Sequence, residues 1–203
     1  MEIKRWVIVV QGFLQQTGTM NGIVRAWYNA HVATSGDPST RVEILRYNSD
    51  VVDLAERIRR LSPENEPPEV VIIAYSWGVA ASQRLSYELR RRTIRVKHIL
   101  SCDGVYKHWH WIGQWRVRVV KYCPDAFPIW IPDNVDRVTS LRQNQSWPTG
   151  HVIKAVDEVA TKINTRWLKA DHQWMDDHYE FHALCKELIL TGDIRDVGAS
   201  VLS

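Results

Sequence analysis

A serine held between small residues, Ala74-Tyr75-Ser76-Trp77-Gly78, is the part of this chain best suited to covalent chemistry. A serine hydroxyl is a weak nucleophile until a base takes its proton, and the base works best when a carboxylate orients it. The pentapeptide follows the pattern G-x-S-x-G, with Ala74 replacing the first glycine. Small flanking residues let a strand turn tightly into a helix and push the serine out above a sheet. A serine at a strand-to-helix boundary also serves as a simple helix cap, so the pentapeptide alone admits both roles. An accompanying acid and histidine would separate them.

Asp103 and His172 are the candidates for that acid and that base. Asp103 follows an apolar run ending at Cys102, and His172 lies in the polar stretch Lys169-Ala170-Asp171-His172-Gln173-Trp174-Met175-Asp176-Asp177. Each has a plainer role open to it. Asp103-Gly104 is a common turn dipeptide, and His172 is one of eight histidines. His108 and His110 alternate in Lys107-His108-Trp109-His110-Trp111 as metal ligands sometimes do. No third ligand stands nearby at a recognisable spacing, so no metal site is expected. Cys102, Cys123 and Cys185 are odd in number and widely spaced. Neither a disulfide framework nor a CxxC knuckle follows from them, and a reducing, cytoplasmic setting is the expectation.

These residues need elements to carry them. Trp6 to Val10 reads as a buried strand that stops at Gln11-Gly12. Met20 to Ala33 places Ile23, Trp27, Ala30 and His31 on one helical face. Val42 to Tyr47 reads as a second strand. Residues 50 to 61 read as a helix with the stripe Val51, Leu54, Ile58 and Leu61. Val70 to Ala74 is a continuous apolar run suited to a strand buried on both faces, and the helix-forming segment from Trp77 ends in a basic turn. Ile94 to Cys102 and Val138 to Leu141 complete the expected strands, while 152 to 168 and 178 to 190 follow helical patterns. Strands that alternate with helices predict an α/β fold, with a mostly parallel central sheet covered by helices on both faces. Ligands of such folds bind at the carboxyl ends of the strands, where Gln11-Gly12, Ser76 and Asp103 all fall.

At 203 residues, with 45% apolar and 24% charged side chains, the chain reads as a single self-folding domain over 1–203. A formal charge of +3, without a basic stripe interleaved with aromatics, argues against a nucleic-acid partner. No run approaches the apolar length of a spanning helix. Ten tryptophans stand out, four of them in residues 105–131 beside Lys107, Arg116, Arg118 and Lys121. That segment reads as a lid over the site, as a lipid-surface contact through Trp and basic residues, or as a helix packed on the sheet with snorkelling cations.

From its first strand, through Ala74 to Gly78, to the late histidine loop and closing helix, the chain resembles a compact α/β-hydrolase of the lipase or esterase kind. In such proteins the acid and then the histidine follow the serine, as Asp103 and His172 do. The resemblance implies a Ser76-His172-Asp103 triad that cleaves an ester, thioester or amide through an acyl-enzyme. It implies a small-molecule or lipid-like acyl substrate and no cofactor. Backbone N–H groups of Phe13 and Trp77 would form the oxyanion hole. One departure stands out. The family more often carries its acid after a later strand, here near Arg142-Gln143-Asn144-Gln145, where no carboxylate stands; some lipase-like members use the earlier strand. Asp171, Asp176 and Asp177 lie too close to His172 in sequence to be the first choice. A binding module on the same scaffold, without catalysis, is the alternative from another class.

Overall fold

The computed structural model describes residues 2–13, 22–105 and 127–194. Its core is a six-stranded sheet of β1 (Arg5–Gln11), β2 (Thr40–Arg46), β3 (Glu69–Tyr75), β4 (Val96–Cys102), β6 (Val135–Arg142) and β8 (Lys162–Trp167), in the order β2-β1-β3-β4-β6-β8. Every neighbouring pair in it is parallel. Two short strands, β5 (Ile129–Ile131) and β7 (Ile153–Ala155), form a separate parallel pair. The helices are α1 (Gly22–Thr34), α2 (Val51–Leu61), α3 (Trp77–Arg90) and α4 (Tyr179–Thr191).

The apolar strand runs have the composition a doubly covered sheet requires. Along β1 and β3, Trp6, Ile8, Val10, Val70, Ile72 and Ala74 face a core built with α2 and α3. The alternate residues Val7, Val9, Val71, Ile73 and Tyr75 face a second core built with α1 and α4. The result is the three-layer, α/β-hydrolase-like architecture implied by the sequence. Local signals set the helix ends. The Asp50 carboxylate accepts the N–H groups of Val52 and Asp53 at 2.9 and 3.2 Å at the start of α2, and Gly192 closes α4 in the left-handed conformation at φ 73°.

The helix expected over 152 to 168 is absent: β7 and β8 occupy that stretch. Val152, Val156, Val159 and Ile163 repeat at helical spacing, yet Val159 is 93% exposed. The spacing therefore does not trace a buried face. The Asp157 carboxylate instead accepts from the N–H groups of Val159 and Ala160 in a turn, and β8 satisfies its backbone by pairing along β6. Of the segment 105–131, residues 106–126 lie outside the described residues. The part that follows ends in β5, whose Ile129 and Ile131 are buried in the α3-side core.

This topology creates the site. β1 lies between β2 and β3. The chain leaves β1 for α1 on one face of the sheet and leaves β3 for α3 on the other. In open α/β sheets, adjacent strands whose following helices lie on opposite faces leave a crevice at their carboxyl ends, and ligands bind there.

Candidate active site

Ser76 sits at the end of β3, on the edge of that crevice. Its backbone adopts φ 52° and ψ −122°, a region that costs a non-glycine residue about 1–3 kcal/mol and that persists only when the surroundings enforce it. They do so here. Ser76 N–H donates to the Cys102 carbonyl at 2.9 Å, and the Ser76 carbonyl accepts from Val79 and Val105 at 3.1 and 3.0 Å. Gly78 must lack a side chain, because a Cβ there would lie 2.4 Å from the Val10 carbonyl oxygen. At the first small position Ala74 packs inside the sheet, between Val10 of β1 and Ser101 of β4. A methyl group fits there, which is why the missing first glycine leaves the turn intact.

The three residues expected to act together are brought together. Ser76 Oγ lies 2.9 Å from His172 Nε2, and His172 Nδ1 lies 2.6 Å from Asp103 Oδ2. Asp103 is fully buried at the end of β4, itself at a positive φ of 43°. Its Oδ1 accepts the Gly150 N–H at 2.9 Å and its Oδ2 also accepts from Gln143 Nε2 at 2.9 Å. A carboxylate bonded to donors in this way leaves His172 Nδ1 as the nitrogen that carries the proton and Nε2 as the one that offers its lone pair to the serine.

His172 is held from three sides. The Tyr75 hydroxyl donates to the His172 carbonyl at 2.5 Å, and the two rings stack at 5.4 Å and 25°. The His172 N–H donates to Ser146 Oγ at 2.7 Å. Burial, reinforced by the negative charge of Asp176, pushes the Tyr75 phenol well above its ordinary range, so it acts as a neutral donor. The 3-10 turn His172–Asp177 that follows docks against the start of α1. There the Asp176 carboxylate accepts the Ile23 N–H at 3.0 Å, and Gly22 gives room for the Asp176 carbonyl, which a Cβ would meet at 1.7 Å. Asp176 thus anchors the histidine loop, while Asp177 pairs loosely with Arg25 at 3.8 Å.

Phe13 and Trp77 lie side by side, just past the carboxyl ends of β1 and β3. Val10 of β1 is in register with Ala74 of β3, and each of these two residues lies three positions further along its own chain segment. Their rings touch at 4.3 Å, and Tyr47 packs edge-on against both at 5.8 and 5.4 Å. Gly12 lets the chain leaving β1 pass close to Ser76, since a Cβ on it would lie 3.0 Å from Ser76 Cβ. Phe13 remains 46% exposed. The trio forms an apolar wall beside Ser76.

Cys102 and Cys185 are buried free thiols. Burial first, and then the Asp176 charge, raises both well above the ordinary thiol range, so neither supplies a thiolate at neutral pH. His108, His110 and Cys123 lie outside the described residues. Among the described residues no cluster of three metal-ligating side chains occurs, and no helix is long and apolar enough to cross a membrane.

Four contributors escaped the sequence reading: Tyr75, Gln143, Ser146 and Gly150. Gln143, Ser146 and Gly150 act through loop geometry, and Tyr75, at the end of β3, acts through its hydroxyl and ring. The one hint was the polar run Gln143-Asn144-Gln145 followed by Gly150, at the end of a strand on the sheet's carboxyl edge.

No protein-family model matches the chain, and no curated protein matches it. Among solved structures it is similar to one described as the structural basis for cyclization of the lipopeptide antibiotic surfactin by the thioesterase domain SrfTE. The identity is 14%, the TM-score is 0.49, and the match covers 95% of this chain and 93% of that one. It is also similar to a structure of RedJ with a PEG molecule bound in its active site, at 14% identity and a TM-score of 0.44, covering 92% and 91% of the two chains. Neither likeness bears on the chemistry of this site.

Proposed function

We propose that this protein is a serine hydrolase that cleaves an acyl ester or thioester by way of an acyl-enzyme. Ser76 Oγ attacks the acyl carbon while His172 Nε2 takes its proton, and Asp103 holds the imidazole and stabilises the imidazolium that forms. The carbonyl oxygen becomes an oxyanion, which the N–H groups of Phe13 and Trp77 receive. Collapse expels the alcohol or thiol, which leaves with the proton from Nε2. Water then attacks the acyl-enzyme, His172 takes a proton from it, and the acid is released with Ser76 Oγ–H restored. The apolar wall of Phe13, Tyr47 and Trp77 suits an acyl-type small molecule better than a charged one.

The observation that carries this reading is the unbroken line Ser76 Oγ, His172 Nε2, His172 Nδ1, Asp103 Oδ2, with separations of 2.9 and 2.6 Å, at the carboxyl edge of the sheet. A fluorophosphonate probe, which mimics the tetrahedral intermediate, should label the protein at Ser76. Ser76→Ala should abolish labelling and esterase turnover, and a Ser76→Ala protein that still reacts overturns the assignment. A protein that binds ligands without any labelling would be a binding module instead.

A further inference from the structure

Gln143 is a completely buried polar side chain at the end of β6, in no position to touch a substrate directly. Its amide nevertheless meets five partners. Nε2 faces Asp103 Oδ2 at 2.9 Å, the Pro148 carbonyl at 2.9 Å and the Ser146 carbonyl at 3.1 Å. Oε1 accepts the N–H groups of Gln145 and Ser146 at 2.7 and 2.9 Å. Three acceptors on one side and two donors on the other fix which end of the amide is which.

Two consequences converge on the triad. Asp103 Oδ2 receives both His172 Nδ1 and Gln143 Nε2, while Oδ1 receives Gly150 N–H. Donors on both oxygens hold the carboxylate plane and aim Oδ2 at the imidazole. The same amide also folds residues 143–150, and that loop presents the Ser146 hydroxyl that accepts the His172 N–H. One side chain therefore sets the acid directly and the histidine through a single intermediary.

We propose that Gln143 is the positioning residue of the triad, a neutral donor that keeps Asp103 aimed at His172. This rests on the reading of Ser76, His172 and Asp103 as the catalytic set. Neutrality is the distinguishing property. An amide donates to Asp103 at every pH, whereas a carboxyl in its place donates only while protonated and repels Asp103 once ionised. Among the described residues, the charged or titratable groups that its hydrogen bonds and nearest chain neighbour bring beside it are Asp103, His172 and the buried guanidinium of Arg142, whose Nη2 donates to the Gly150 carbonyl at 2.9 Å.

The test is the rate of fluorophosphonate labelling at Ser76 from about pH 5.5 to about pH 9, for the parent, Gln143→Met and Gln143→Glu, each variant divided by the parent rate at the same pH. Gln143→Met, which keeps the bulk but loses the donor, should fall about 10- to 100-fold at every pH, as expected for a lost hydrogen bond to a charged group. Gln143→Glu should approach the parent at the acid end and fall away from it by at least about fivefold towards the alkaline end, as the introduced carboxyl ionises. Equal and pH-independent losses in both variants, parent-like rates in both, or failure of both to fold would each overturn the proposal and leave Gln143 a structural residue. In those cases a labelled parent keeps Ser76 as the nucleophile. A parent that does not label at Ser76 overturns both readings together.

Discussion

Among the described residues two hydroxyl-imidazole-carboxylate lines occur, and they have nearly the same dimensions. In the first, Ser76, His172 and Asp103 are separated by 2.9 and 2.6 Å. In the second, Thr139 Oγ1 lies 2.9 Å from His98 Nε2, and His98 Nδ1 lies 2.9 Å from Asp193 Oδ1. Their surroundings differ. Ser76 stands on a strained turn at the crevice edge, whereas Thr139 lies within β6, paired with Leu100 on one side and Asn164 on the other. The cavity that His98 and Thr139 line, with Arg137 and Lys162, holds about 50 Å³, far below what an acyl substrate needs. Asp103 is fully buried among neutral donors, whereas Asp193 is partly exposed and paired with Arg137 at 3.2 Å. A line of three polar groups can serve acid-base chemistry only where the fold brings the hydroxyl to a place a substrate can reach and aims donors beside it. Elsewhere it is a clasp, and here it fastens the end of α4 to the sheet.

The comparison breaks most sharply at the two histidines. His172→Ala should lower kcat by about 10⁴-fold or more, the scale set by removing the base of such a triad. His98→Gln should leave kcat per folded molecule unchanged and lower the unfolding free energy by about 1–3 kcal/mol, as buried hydrogen bonds are lost. Steady-state esterase kinetics beside urea denaturation separate the two effects, and a matching loss of kcat in His98→Gln would end the distinction.

A smaller difference is expected at the glycines that flank each acid. A Cβ on Gly150 would lie 2.4 Å from Asp103 Oδ1, and one on Gly192 would lie 2.2 Å from Glu69 Oε1. Gly150→Ala should therefore cost about 10- to 100-fold in kcat by displacing the acid. Gly192→Ala, strained further by its positive φ, should cost about 1–3 kcal/mol of stability and no activity.

The smallest effect is one of pH. The partial burial of Asp193 works to raise its pKa, but the hydrogen bond with His98 and the charge of Arg137 outweigh it and hold the carboxyl below its ordinary value. A depressed folded-state pKa contributes stability that is present above the unfolded value of about 3.9 and lost as pH falls through the folded one. Parent and Asp193→Asn should accordingly differ at neutral pH, by less than about 1 kcal/mol after solvent screening, and the gap should close in acid, as pH falls below the ordinary carboxyl range. Urea midpoints at neutral and acid pH check this, and a gap that persists in acid would detach Asp193 from the clasp.

Much of the architecture was legible because its signals are local. Apolar runs marked β1, β3 and β4, shorter mixed segments marked β2 and β6, and the stripes of α1, α2 and α4 followed a helical repeat. The stretch 152 to 168 misled because its valines are spaced for a helix, while the bonds that decide its form go to β6 and β5. The clasp of His98, Thr139 and Asp193 was invisible for the same reason: its members come from β4, β6 and the end of α4. Gln143 drew notice in the sequence only as a place where a carboxylate is missing. In the fold, that neutrality is what lets its amide donate to Asp103.

The sequence by itself marked Ser76 as a nucleophile candidate, because a tight turn demands small residues at fixed offsets, and Asp103 and His172 as its candidate partners, because they follow it in the order of the family the chain resembles. It also determined a parallel sheet covered on both faces, since only such strands are apolar at every position. Tertiary structure alone decided which of two equivalent hydrogen-bonded lines opens on a crevice. That depends on α1 and α3 leaving adjacent strands for opposite faces, on a loop that closes over Asp103 from 40 residues away, and on contacts between segments whose separation along the chain carries no periodic trace.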